Sequence, residues 1–375
     1  MADDKERMLA EPGGKRMYNI DALRILSMLF VCYLHVGGGY GGLAQAENMI
    51  DKALILYGLS FADVGVNCFM MITGYVSSLD KWKCGSYINL WSQVAFYCVG
   101  IGIAVAAVSW YQTGNGCISS RQLLEWYLPV PFAGAYWYFT VYSSIFFLSP
   151  FILRMLESMN QKWRLLALLV GIGMLSLFAP LGGRSWGLST PWLACIYMLG
   201  WYLRRHPLTM ARKWMLAGTV ACAAGTALLL TVAIQLGKHG VQIPYCPVDY
   251  TAPLVVLESL FLFSFFAKTS VQGKLVCKTI GMLVPVSFGV YLIHCHPASE
   301  CYFRVLYGWI TDGMGHTFIA VVCASCVIYL LTSCIDSIRL FLFRILKVRA
   351  WSMRAGAACE QLANRAAKWL VRRFG

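Results

Sequence analysis

Charge is scarce in this sequence: only 13% of its 375 residues are Asp, Glu, Lys or Arg. A soluble domain of this length needs far more charge to cover its surface, so a water-soluble globular fold is excluded. Acidic residues are the rarer sign, 17 against 31 basic ones, which leaves a formal charge of +14. In a soluble chain that excess would point to nucleic acid. Here the basic residues lie between long apolar blocks and the mean hydropathy is +0.62. The excess therefore reads as topology and contact with anionic headgroups, with the lipid bilayer and no nucleic acid as partner.

A disulfide framework is lacking as well. The cysteines number 15, an odd count, and most lie inside apolar segments. Cys323 and Cys326 form a CxxC with no matching second pair, so they read as small packing residues and no metal is expected. One bridge among Cys117, Cys246 and Cys301, in segments expected outside the membrane, stays open. No small-x-small cleavage site follows the first apolar segment, 19–38; a Gly-rich turn does, so it reads as the first transmembrane helix. Neither an internal repeat nor a second soluble domain is visible, and the lack of inverted repeats weighs slightly against transport.

What the chain has is long apolar runs. A hydrocarbon core of about 30 Å needs about 20 helical residues. Ten segments approach that length: 19–38, 59–79, 87–110, 134–153, 164–180, 188–203, 214–236, 251–267, 279–297 and 315–345. The expected fold is all-α, a polytopic bundle of about ten transmembrane helices. With the N-terminus inside and strict alternation, 25 Lys and Arg fall on the cytoplasmic side and five (Lys52, Arg121, Arg184, Lys238, Arg304) outside. A split this uneven follows the positive-inside rule and puts both termini in the cytoplasm. Three regions result: a cytoplasmic tail over 1–18, a ten-helix domain over 19–346, and a basic amphipathic tail over 347–375. In that last tail Trp351, Leu362, Trp369, Leu370 and Phe374 interleave with Arg354, Arg365, Lys368, Arg372 and Arg373. It reads as a helix on the inner leaflet, with partner binding as the alternative.

Polar groups inside such segments are costly and mark candidate sites. Arg24 and His35 are eleven residues apart in NIDALRILSMLFVCYLH. In a helix that leaves them about 20° from eclipsed and about 16 Å apart along the axis. A low guanidinium can hold phosphates, and a high imidazole can take a proton from an acceptor hydroxyl. Snorkelling of Arg24 and a helix-to-helix contact of His35 is the plain alternative. Asp21, three residues before Arg24, can orient it. Ser287, Tyr291 and His294 share a helix face and line either a substrate path or an interhelical contact. His296 is expected at the outer interface. Glu258 stands alone in LVVLESLFLF as an acid/base group, a counterion or a structural carboxyl. Asn67, Thr73, Gly74 and Tyr75 lie in VGVNCFMMITGYVSS. Tyr136, Trp137 and Tyr138 open another span, as an interfacial belt or a sugar platform.

Four of these stretches carry a resemblance. IDALRILSMLFVCYLH is similar to an opening Asp-x-x-Arg with His eleven residues after the Arg. GVNCFMMITGYVSS is similar to a second-helix pattern ending in Ser-Gly-aromatic, with Thr73 in place of Ser and Asn67 where many members have Pro. WYFTVYSSIFFLSPFI is similar to a Leu-Trp-Phe/Tyr segment closing with Pro, with Tyr136 in place of Leu and Ala135 where many members have a polar residue. SFGVYLIH is similar to Ser-x-Gly-x-Tyr-Leu-x-His. Together, over roughly 18–346, they resemble the acyltransferase-3 family of membrane-bound O-acyltransferases of bacterial surface glycans.

That resemblance implies a multi-pass protein of the bacterial inner membrane. It implies acyl-CoA, acetyl-CoA first, as a cytoplasmic co-substrate with no bound cofactor, and a glycan hydroxyl on the far side as acceptor. It implies that His35 is the catalytic histidine and that Arg24 helps hold the donor, and Tyr291 and His294 fall at matching positions. Beside it, the polar residues themselves suggest Asp21 as a catalytic partner of Arg24, donor contacts from Thr73 and Tyr75, and an acceptor path lined by Trp137, Tyr138, Ser287, Tyr291, His294 and Glu258, the last of which lies outside the resemblance. The departures bear on the acceptor more than on the reaction. A transporter or flippase of a small metabolite or lipid-linked sugar, coupled through Glu258, His35 and Arg24, is the alternative class.

Overall fold

A computed structural model describes residues 16–113, 119, 122–129, 135–178, 186–241 and 246–374. Among them the ordered elements are all helical and no strand occurs. In chain order the helices that matter are α1 (Tyr18–Leu34), α2 (Met49–Ala62), α3 (Val64–Val76), α4 (Cys84–Thr113), α5 (Trp137–Ser158), α6 (Gln161–Gly173), α7 (Thr190–Arg205), α8 (Arg212–Lys238), α9 (Pro253–Ala267), α10 (Lys274–Leu283), α11 (Ser287–His294), α12 (Glu300–Asp312), α13 (Thr317–Ile345) and α14 (Val348–Phe374). Among the described residues eight segments are long and apolar enough to cross a membrane: Tyr18–Gly39, Met49–Val76, Cys84–Gln112, Trp137–Ser158, Gln161–Phe178, Arg212–Lys238, Lys274–His294 and Thr317–Ile345. The expected spans 188–203 and 251–267 are the shorter helices α7, with 16 residues, and α9, with 15. The protein is a multi-pass membrane helix bundle.

Local chemistry sets the helix ends and bends. The second span starts ten residues before its expected start at 59, because Asn48 caps α2 by accepting from the Asp51 amide at 2.7 Å. The Asp51 carboxylate in turn accepts from the Thr317 amide at 2.8 Å, where α13 begins. Pro150 lies inside α5. Proline cannot donate to the carbonyl one turn back. That carbonyl, on Phe146, instead accepts from Trp82 Nε1 at 2.9 Å and from the Ser149 hydroxyl at 2.8 Å. In lipid such replacement is obligatory. Pro285 divides α10 from α11 through a 3-10 turn over Val284–Val286.

Helix α1 is central, in contact with α2, α3, α9, α10, α11 and α13. Its first turns enter one apolar cluster with α3, α5, α7 and α9, built on Leu23, Met71, Trp192, Trp201 and Phe263. Its later turns enter a second with α11 and α13, built on Tyr33, Val36, Val290, Leu292 and Ile328. Helices α3 and α7 cross at two glycines. A Cβ on Gly74 would collide with the backbone of Tyr197, and one on Gly200 with that of Met71. The backbones touch, as small residues permit in membrane helices. Asn67 ties the same region together: it donates to the Tyr250 carbonyl at 2.9 Å and accepts from Trp192 Nε1 at 3.2 Å.

The basic tail forms helix α14 and packs on α4. Gly85 and Gly356 are in backbone contact, and Glu360 accepts from the Cys84 amide at 2.7 Å. Trp351, Leu362, Trp369 and Leu370 are exposed on it. Cys246 and Cys301 are free thiols, while Cys117 lies outside the described residues.

Candidate active site

Where the two apolar clusters meet, a cavity of about 520 Å³ opens between α1, α3, α5 and α11. Arg24 and His35 both line it, so the stripe on α1 faces the interior. Thr73, Trp137, Tyr138, Ser287 and Tyr291 line it too. Sequence reasoning had not singled out Phe69, Phe139, Tyr142, Tyr250, Phe288 or Cys295, which complete much of the wall. Glu258, Tyr75 and His294 are not among the described residues that line it. Glu258 is fully buried in α9, and neither carboxylate oxygen has a hydrogen-bond partner among the described residues. Tyr75 lies edge-on to Phe263, and its carbonyl accepts from Arg204 Nη1 at 3.0 Å. His294 sits one layer behind the wall, buried.

The low end of the cavity is a charge cluster. Asp21 bridges two guanidinium groups, accepting from Arg24 Nη1 at 2.9 Å and from Arg16 Nε at 2.6 Å. The Arg24 side chain stays 30% exposed, so part of its donor fork is free for an incoming anion. The middle is aromatic. Trp137 stacks on Tyr250, with centroids 6.2 Å apart and planes at 17°. Tyr138 meets Phe69 and Tyr291, each at 6.2 Å.

The high end holds His35. It is the first residue of a π-helical turn, His35–Gly39, that prolongs α1. Such turns frequently occur at functional sites. Three glycines follow it in sequence, and Tyr40 closes the turn by donating its amide to the His35 carbonyl at 2.6 Å. The His35 ring lies 5.1 Å from that of His294, at 66°. The Cys295 sulfur lies 3.8 Å from each nitrogen of His35 and 3.3 Å from Nε2 of His294. One donor atom each from His35, His294 and Cys295 lies within 4.8 Å of the others. Two imidazoles and a thiol at this spacing could share a soft divalent ion such as Zn²⁺. His296 is buried. It accepts from the Ala298 amide at 3.1 Å and meets the Trp126 carbonyl at 3.1 Å.

Beside this cavity lies a wider basin of about 1130 Å³. Its wall carries Lys81, Lys83, Arg339, Arg344, Lys347 and Arg349, against Asp80 as the acidic member. The two spaces flank the same turns: Pro285 faces the basin while Val284 and Ser287 face the cavity, and on α4 Asn89 faces one and Leu90 the other. Arg339 is aimed by a buried bidentate pair with Asp336, both contacts at 2.7 Å, and Tyr97 donates to the same carboxylate at 2.7 Å. The spacing of Asp336 and Arg339, three apart inside an apolar helix, was the available signal for that pair.

The arrangement has an anion-binding end, an aromatic channel and an imidazole–thiol end. Chemically it suits a phosphate-bearing donor and a nucleophile that must lose a proton. No curated protein and no solved structure matches the chain. Residues 17–335 match the family described as an acyltransferase domain, acyltransferase-3. The chain belongs to the acyltransferase-3 family, and it is a multi-pass membrane acyltransferase.

Proposed function

We propose that this enzyme moves an acyl group, acetyl first among candidates, from cytoplasmic acyl-CoA to a hydroxyl of an extracytoplasmic glycan in a bacterial inner membrane. The observation that carries the reading is that Arg24 and His35 line one cavity at its two ends. The 25-to-five division of basic residues supports a ten-span topology with both termini inside.

The donor is a thioester on a long arm with a polyphosphate head. The basic basin suits the head, which carries several negative charges. Arg24, held by Asp21, lines the cavity on the other side of those turns and can grip the phosphate end of the arm. Thr73 adds a hydroxyl to the wall beyond it. The flat faces of Trp137 and Tyr138 suit the apolar face of a sugar ring. Ser287 and Tyr291 can orient its hydroxyls. His35 takes the proton of the acceptor hydroxyl as its oxygen attacks the acyl carbonyl, and the sulfur departs as a thiol. Placing the acyl group and the acceptor hydroxyl in one cavity makes the attack effectively intramolecular. A transport reading needs Glu258 on the path, and Glu258 is not among the described lining residues.

The test is mass spectrometry of surface glycans from cells carrying the native chain or His35→Ala, both present at equal levels in the membrane. An acetyl or succinyl increment that needs the native chain and is missing with His35→Ala supports the reading. An unchanged glycan in every strain rejects a glycan acceptor. Native-rate transfer by His35→Ala rejects the assignment of the base.

A further inference from the structure

The high end of the cavity contains a nucleophile that the reaction above leaves idle. Cys295 lines the cavity between two imidazoles. His294 Nδ1 lies 2.6 Å from the Val290 carbonyl, one helical turn back. A carbonyl oxygen can only accept, so that nitrogen carries the ring proton. Nε2 is then an unprotonated acceptor, and the Cys295 sulfur lies 3.3 Å from it. The same fixing of one ring nitrogen by a carbonyl is how proteins set an imidazole to work as a base or a ligand. The thiol therefore donates into His294, and its free side faces the cavity and His35. Backbone geometry holds the group: Cys295 ends α11, its amide bonded to the Tyr291 carbonyl at 3.0 Å, and the Tyr40 hydroxyl donates to the His294 carbonyl at 3.2 Å.

We propose that Cys295 is a catalytic nucleophile that carries the acyl group as a thioester between donor and acceptor. The proposal rests on the acyl-CoA reading above. In the first half-reaction the Cys295 sulfur bonds to the acyl carbon while its proton passes to His294 Nε2. The bond from the acyl carbon to the coenzyme sulfur then breaks, and the departing sulfur takes that proton back, leaving free coenzyme A. In the second half the acceptor oxygen bonds to the same carbon and its proton passes to His35. The bond to Cys295 breaks, and the cysteine sulfur recovers the proton from His35, 3.8 Å away. No oxidant and no other reactant enters. Proton transfer accompanies bond formation, so the buried site need never hold a free thiolate.

The scheme assigns separate work to the two histidines. His294, behind the wall, serves only the sulfur; His35, in the wall, serves the acceptor. Exchange of one thioester for another keeps the acyl group activated. The donor can therefore leave before the acceptor enters, and one cavity of about 520 Å³ holds them in turn.

The experiment uses full-length protein in detergent, acetyl-coenzyme A labelled in the acetyl group, and no acceptor. Free coenzyme A is quantified by mass spectrometry within the first turnover. The native chain is expected to give a burst of one coenzyme A per chain. It should also carry label on the peptide containing Cys295, released by hydroxylamine at neutral pH. Cys295→Ala should lose burst and label. Cys295→Ser, nearly isosteric, should lose the hydroxylamine-sensitive label with its melting temperature kept, which separates chemistry from misfolding. His35→Ala should keep both the burst and the label. A burst in Cys295→Ala within about twofold of native, or label on His35 in place of Cys295, would overturn the role of Cys295 and leave the donor reading standing. Native protein that neither releases coenzyme A nor binds it would overturn the donor reading, and this proposal with it.

Discussion

Arg24 and His35 lie eleven residues apart on one helix and face the same cavity, the guanidinium beside Asp21 and the imidazole beside Cys295. Helical geometry makes that possible at about 1.5 Å of rise per residue. It also separates the two groups by roughly half the hydrocarbon thickness of a bilayer. A donor held at the low group and an acceptor entering near the high one can each reach the same cavity without crossing the membrane.

His35→Gln keeps size and polarity but cannot accept a proton as readily. Transfer to glycan should fall by about 10²–10⁴-fold, the usual contribution of a general base. Membrane level and melting temperature should not change. Glycan mass spectrometry beside quantitative immunoblotting checks this.

Arg24→Ala removes charge-assisted bonds worth about 1.5–3 kcal/mol. The concentration of acetyl-coenzyme A needed for a half-maximal thermal shift should rise roughly 10- to 100-fold. Arg24→Lys keeps the charge without the fork and should fall between. Asp21→Asn should weaken donor use less than Arg24→Ala, since it unfastens the guanidinium without removing it.

Asp336 and Arg339 are buried at 0% and 3% exposure. Removing one partner leaves a lone charge inside the protein, so Asp336→Ala should cost about 3–5 kcal/mol of stability. The double change Asp336→Leu with Arg339→Met should recover most of it. Melting temperatures in one detergent decide the matter; equal loss in the single and double variants would contradict it. Gly289→Ala should act like a mild form of Asp336→Ala, because its new methyl group would press on that carboxylate.

Zn²⁺ should inhibit the enzyme, because an ion shared by His35, His294 and Cys295 occupies the lone pairs that move protons. A chelator should restore the rate. In the melting assay Zn²⁺ should stabilise the native chain and have no effect on His294→Ala. Loss of activity on adding chelator alone would show the reverse, a metal that the reaction needs.

Much of this architecture could be read from the residues. Apolar runs with basic punctuation gave a helical membrane bundle, and the spacing of Arg24 and His35 gave one shared face. Other features depended on contacts distant in sequence. The second span begins before residue 59, and Asp51 within it finds its partner in the Thr317 amide, 266 positions away. Glu258 looked like a path residue, but position on a helix does not say which neighbour it meets, and α9 turns it into a closed core. Tyr250 lines the cavity from a distant stretch of chain, where Asn67 bonds its carbonyl and Trp137 stacks on its ring. Cys295 lay in plain view beside His294. A cysteine in an apolar stretch gives no sign of which atoms surround its sulfur, so only the folded turn set it apart.

The tail helix α14 is one wall of the basic basin: Arg349, Ala350 and Met353 face the same space as Ser86, Asn89 and Gln93 of α4. A deletion designed to cut a surface anchor would therefore also unroof a charged vestibule. Its phenotype would then look like a weakened thirst for substrate even in a protein still lodged firmly in its bilayer. Shortened versions of this enzyme should be judged by titrating the donor as well as by where they localise.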